Sequence, residues 1–142
     1  MNKVEIVKKA FNFDTPRDEA EGYLSDDYQW SDSMGNPPMN KATWIGFGNL
    51  LRASIPDMDY TIEEIHQDGD DVVQTGYFSG TFKKDLDLSA MNMGVIPATG
   101  KALKFPSSTS RVSFSGDKIS KNHDLTTGPT AGMESFLAVF KN

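Results

Sequence analysis

His123 and Asp124, adjacent in the run Ile119-Ser120-Lys121-Asn122-His123-Asp124, are the residues of this chain best suited to moving a proton. A histidine takes or gives a proton near neutral pH without extreme tuning, which suits enolisation or addition chemistry. The plainer alternative is a hydrogen-bonded pocket-wall histidine with no part in chemistry. Strict alternation from Ile119 puts Lys121, His123, Leu125 and Thr127 on one face of a strand and Asp124 on the other. Asp124 therefore orients His123 only if a bulge re-aims it, and is otherwise a solvated outer-face carboxylate. Arg111 falls on a long β pattern near the core, where a guanidinium needs an anionic partner. That partner is either a substrate carboxylate or enolate, or a carboxylate of the protein itself. Trp30, Trp44, Phe47, Met58, Tyr77 and Phe82 offer the apolar surface that small organic ligands use, and residues of these types also serve as ordinary core.

Other chemistries find less support. The chain has no cysteine, which excludes disulfides, thiolate nucleophiles and Cys-ligated metals. Two histidines cannot make a three-His site, and a His-carboxylate site would have to use His66 or His123, so no metal is expected. Asp68, Asp70 and Asp71 read as solvated turn residues, since the spaced ligands of a calcium loop are missing. No nucleophile elbow is present. Fourteen basic against twenty acidic residues give a net charge of -6, which argues against nucleic acid or an anionic membrane as partner. No apolar run approaches the ~18 residues of a membrane span. The first residues mix Lys and Glu into their apolar pattern and read as a helix, not a signal peptide. A cytoplasmic location is the expectation.

The elements that must position these residues follow from periodicity and punctuation. At 142 residues, 37% hydrophobic and 11% aromatic, one domain over 1–142 with a real core is expected. Val4, Ile6, Val7, Ala10 and Phe11 predict a helix over 2–12. Thr15 as cap and Pro16 at the first helical position predict a second helix to about Leu24. Alternation predicts a strand over 28–33, after which Met34-Gly35-Asn36-Pro37-Pro38 cannot be regular. Asn40 caps a predicted helix over 41–53 whose stripe is Trp44, Phe47, Leu50 and Leu51. Gly46 and Gly48 weaken that helix by about 1 kcal/mol each and suggest close approach to a sheet or a ligand. Strands are predicted over 60–67, 72–82, 101–115 and 118–126, with Gly76 and Gly80 letting the second curl. Asp68-Gly69-Asp70 and Ser115-Gly116-Asp117 read as hairpin turns. The spacing of Met133, Phe136, Leu137 and Phe140 predicts a closing helix. Between the hairpins, the Leu- and Met-bearing segment 83–95 reads as a lid over a pocket, a surface loop or a dimer contact.

Several of these pieces, in this order, carry a resemblance. They are Leu51-Arg52-Ala53 with Ile55-Pro56-Asp57-Met58, then Ile62-Glu63-Glu64-Ile65, Gly69-Asp70 and Gly80-Thr81. Ile96-Pro97-Ala98-Thr99-Gly100-Lys101 and Asp117-Lys118-Ile119 complete the set. The chain resembles the SnoaL-like polyketide cyclases of the nuclear-transport-factor-2-like superfamily, over about residues 3–140. The resemblance implies an α+β fold in which a cone-shaped, curved mixed or antiparallel sheet wraps around N-terminal helices and leaves a hydrophobic pocket. It implies a homodimer through the outer sheet face, and aldol ring closure of a polyketide without metal or cofactor. It also implies an acidic residue late in the last strand as general acid/base. In the family's last strand an aromatic residue follows Gly-Lys-Ile by four positions and the acid follows by four more. From Asp117-Lys118-Ile119 the aromatic position is His123 and the acid position is Thr127.

Three functions stay open on this reading. One is a cofactor-independent cyclase, isomerase or lyase acting on a hydrophobic carbonyl compound, with His123 as acid/base. It requires His123 to face the pocket. The second is a non-catalytic small-molecule binding protein, which Thr127 at the acid position favours. The third is an association module whose dimer surface is the functional part.

Overall fold

The computed structural model describes residues 1–141. Helix α1 (Lys3–Ala10) is capped by Asn2, whose side chain accepts the Glu5 N–H at 2.8 Å, and buries Ile6, Val7 and Ala10. A second helix, α2 (Arg17–Gly22), starts one residue past the Thr15-Pro16 signal, with Pro16 itself as the capping residue. Strand β1 (Leu24–Ser31) begins four residues earlier than alternation indicated. Leu24 is buried against Ile119, and the intervening acidic residues are taken up in a register shift. After the short β2 (Met39–Asn40), Asn40 caps α3 (Lys41–Ser54) by accepting from the Thr43 N–H at 2.8 Å.

Two hairpins form the body of the sheet. Strands β3 (Asp59–Asp68) and β4 (Asp71–Thr81) turn at Gly69, and β8 (Ser108–Ser115) and β9 (Lys118–Asp124) turn at Gly116. Both glycines have positive φ, +62° and +65°, as tight hairpin turns require. The expected strand over 101–115 is two strands. β7 (Ala102–Lys104) pairs with the end of β4, and β8 pairs with its beginning. Pro106, which has no N–H and restricts Phe105, breaks the ladder between them. The sheet runs β2-β1-β9-β8-β4-β3, with β1 and β9 parallel and the other pairs antiparallel. Helix α4 (Gly132–Phe140) closes over one end. Four helices against a curled, mixed half-barrel make an α+β fold. No helix among the described residues is long and apolar enough to cross a membrane.

The segment 83–95 is neither lid nor plain loop. It folds as a two-stranded hairpin, β5 (Leu86–Asp87) against β6 (Val95–Ile96), with one 3-10 turn between. Leu86 and Leu88 are wholly buried with Phe82, Ile96 and Phe140. Two of the sequence pieces quoted above meet nearby. Asp57 accepts the Thr81 N–H at 2.7 Å and the Thr81 hydroxyl at 2.9 Å, and these bonds hold its carboxyl below the usual carboxylate range. Gly80 is required there because a Cβ would collide with the Ile55 side chain. Gly76 has a comparable role, since a Cβ would lie 2.7 Å from the Tyr60 ring and hydroxyl. Gly46 and Gly48 differ from this pattern, because a Cβ at either meets nothing within 4 Å.

Candidate functional site

A β-bulge decides which side chains of β9 face inward. Ser113 pairs with Lys121 but Phe114 pairs with Ile119, so Ser120 is an extra residue in β9. Beyond it the alternation is inverted. Asn122 and Asp124 join Ile119 on the inner face, opposite Val112 and Ser110, while Lys121 and His123 turn outward. On β4, Gln74 pairs with Ser110 and belongs to the same inner wall.

This wall bounds a cavity of about 210 Å³ between the sheet and helices α1, α3 and α4. Its apolar side includes Phe13, Trp30, Trp44, Phe47, Phe78 and Phe136. The sheet contributes Tyr60, Gln74, Ser108, Ser110, Asn122 and Asp124 as polar lining, and α2 and α3 contribute Arg17 and Arg52. Among the described residues Asp124 is the only carboxylate in the lining. Its Oδ1 accepts the Thr126 N–H at 2.9 Å, and among the described residues Oδ2 accepts no hydrogen bond. Burial first, then the charges of Asp124 and Glu63, together push the Tyr60 phenol up to about 12, so it is a donor across the physiological range. Gln74 is 3% exposed and Asn122 8%, yet Gln74 Oε1 and Asn122 Oδ1 have no hydrogen-bond partner. The Tyr28 hydroxyl, buried beside Asn122 without closing a bond to it, is likewise unpartnered, and burial pushes its pKa up. Orphaned buried polar groups cost about 1–3 kcal/mol each, and the two amide oxygens belong to residues that line the cavity, where a ligand donor would meet them.

The candidate residues separate into two groups. Trp30, Trp44, Phe47 and Asp124 line the cavity, while His123, Met58, Tyr77, Phe82 and Arg111 do not. His123 is turned outward by the bulge, and both its ring nitrogens are engaged, Nδ1 with Ser31 Oγ at 2.7 Å and Nε2 with Ser33 Oγ at 3.1 Å. Ser33 gives its own hydrogen to the Asp124 carbonyl at 2.7 Å, so Nε2 donates to Ser33 and Nδ1 is left to accept the Ser31 hydroxyl, a pairing that lies outside the cavity lining. Arg111 is also outward, held by Asp68 at 2.7 Å and Asp71 at 3.2 Å, which makes its partners protein carboxylates. Tyr77 lies beneath the Lys104 ammonium, 4.5 Å from its ring centre. Met58 and Phe82 are buried in the core, Phe82 edge-on to Phe140. Thr127 is exposed and lies beyond the end of β9, outside the cavity lining. Among the described residues no cluster of three His, Asp or Glu could hold a metal ion.

Sequence reading missed Tyr60, Gln74, Ser110 and Asn122. The one signal that pointed to Tyr60 is Gly76, the cross-strand position that leaves room for its ring. Asn122 was hidden by the bulge. Gly48, on the cavity stripe of α3, contributes open space.

The fold is shared with proteins of little sequence similarity. A proposed SnoaL-like polyketide cyclase from Jannaschia sp. CCS1 superposes with a TM-score of 0.72 at 14% identity, covering 97% of this chain and 90% of that one. A proposed polyketide cyclase from Acidithiobacillus ferrooxidans gives 0.64 at 22% identity, covering 99% and 95%. A Catenulispora acidiphila protein with a ketosteroid isomerase-like fold gives 0.61 at 18% identity, covering 96% and 92%. At such identities the likeness is one of fold, here the nuclear-transport-factor-2-like fold. The sequence matches no curated protein. It does match the SnoaL-like domain family over residues 8–122, most of its length, and the chain belongs to that family.

Proposed function

We propose that the cavity binds a small aromatic or polyketide-like carbonyl compound and that Asp124 is the acid/base group acting on it. The observation that carries this reading is one carboxylate on the polar wall of a largely aromatic cavity, set near a protonated phenol and two buried amides. A carboxylate there removes a proton from the carbon next to a carbonyl, and the C–H electron pair becomes the double bond of an enolate. The charge moves to the carbonyl oxygen, where the Tyr60 O–H is the donor to receive it. Return of the proton to another atom is isomerisation, and attack of the enolate carbon on a second carbonyl of the same molecule is ring closure. The unpartnered Gln74 and Asn122 oxygens suit an enol or phenol O–H of the ligand. His123 has no role in this scheme beyond joining β1 to β9.

The experiment is deuterium exchange at the α-carbon of a panel of aromatic β-diketones in heavy water, read by proton NMR. The protein is expected to speed exchange, Asp124→Asn to lose about 10²–10⁴-fold, and His123→Ala to retain it. Exchange that survives Asp124→Asn would overturn the assignment. A second reading, a binding protein of the same fold, is favoured by Thr127 standing at the family's acid position, and it corresponds to saturable binding with no exchange. Pairing of two copies through the outer sheet face, at a cytoplasmic location, belongs to the same family-based proposal. Equilibrium sedimentation tests the pairing.

A further inference from the structure

The chain has three arginines and eleven lysines, and two of the arginines, with no lysine, line the cavity. Arg17 and Arg52 stand where α1, α2 and α3 meet. Arg17 reaches Glu21 at 3.9 Å, a loose surface contact. Among the described residues Arg52 has no carboxylate within salt-bridge distance. Its guanidinium lies 4.3 Å from the centre of the Phe13 ring, and its one hydrogen bond is a long 3.4 Å contact to the Phe13 carbonyl. Half-buried, with Arg17 as neighbour, it is less comfortable as a cation than in water. Burial, and then Arg17, push its pKa down, against a smaller upward push from the charge of Glu21. Arg111, the remaining arginine, is paired with two aspartates, so of the three only Arg52 has no carboxylate within salt-bridge distance among the described residues.

The position of Arg52 relative to Asp124 fixes what kind of anion fits. Phe13 packs against Phe78 at 6.0 Å between ring centres, and Phe78 against Tyr60 at 4.8 Å. This aromatic row runs from the guanidinium to the Tyr60–Asp124 wall. A planar ligand lying along it has the Arg52 guanidinium at one end and the Tyr60–Asp124 wall at the other. Like charges repel, so an anionic group sits at the Arg52 end and the reacting carbonyl or hydroxyl at the other. A guanidinium offers a planar fork that matches a carboxylate, which a lysine does not.

We propose that Arg52, assisted by Arg17, forms a carboxylate-binding subsite, so that the ligand of this cavity is an aromatic or polyketide-like carboxylic acid rather than its neutral ester. This rests on the cavity being a ligand site, as proposed above, and is independent of whether Asp124 catalyses anything. The test is calorimetric titration of the protein with 2-naphthoic acid and with methyl 2-naphthoate, which share a ring system and differ in the charge. The acid is expected to bind about tenfold more tightly than the ester or better. Arg52→Gln should bring the ratio to about one, Arg17→Gln should lower it less, and Arg111→Gln should leave it unchanged. Asp124→Asn should keep or raise the preference for the acid even where α-proton exchange is lost, which separates failure of the catalytic reading from failure of this one. Equal binding of acid and ester by the unaltered protein would overturn the subsite. So would equal weakening of both by Arg52→Gln, or no binding of either probe. A purely structural role for Arg52 would weaken both probes alike and leave the ratio unmoved.

Discussion

The two ends of this half-barrel are built from similar residues and packed in opposite ways. Around Phe82, Leu86, Leu88 and Phe140 the interior is sealed, with each of these side chains fully buried in one core cluster. Around Trp30, Gln74, Phe78 and Asn122 the same sheet leaves about 210 Å³ unfilled and two amide oxygens of the lining residues unpartnered. Protein interiors are normally close-packed and their buried polar groups satisfied. The sealed end supplies stability, and the open end gives some up for a surface that a ligand can complete.

That contrast predicts opposite responses to substitution. The largest effect is at the sealed end, where Phe140→Ala should cost about 3–5 kcal/mol in urea unfolding, because the ring contacts Phe82, Phe105 and Phe136 and its removal leaves a cavity. At the open end, Gln74→Met and Asn122→Leu should leave stability unchanged or raise it by about 1 kcal/mol, since each removes an orphaned buried oxygen, while ligand binding falls. A marked loss of stability in both would remove the distinction between the two ends.

The smallest effect, and the sharpest in what it reports, is on Tyr60. Its phenol is raised in the folded protein from 10.0 to about 12, so it stays protonated when the unfolded chain would ionise. Its contribution to stability is therefore fully present below about pH 10 and lost as the pH climbs toward 12. Ultraviolet titration of the phenolate should show that midpoint, and Asp124→Asn should lower it by removing a neighbouring negative charge. A midpoint that ignores Asp124→Asn would place the two groups farther apart than the cavity wall requires.

Much of the fold was legible in the sequence because each element carries its own local cause. Asn40 caps α3 whatever surrounds it, Gly69 and Gly116 mark turns that few other residues form, and the 133–140 spacing specifies a helix by itself. The break at Pro106 was also there to read, since an internal proline removes a ladder donor, but the length of the β pattern around it masked the break. The burial of Leu86 and Leu88 was not legible in the same way. It depends on α4, whose Phe140 arrives from more than fifty residues further along the chain.

The sequence by itself determined the residue types available for chemistry: one His-Asp pair on the last strand, three arginines, no cysteine, and an aromatic set at helical and strand spacings. The tertiary structure decided which of them meet. One extra residue, Ser120, inverts the faces of β9, bringing Asp124 into the cavity and turning His123 out. Side-chain direction along a strand has a period of two, so a single inserted residue exchanges every inward and outward position after it. Whether a strand bulges depends on how its neighbours pair across the sheet, and those contacts exist only once the chain has folded.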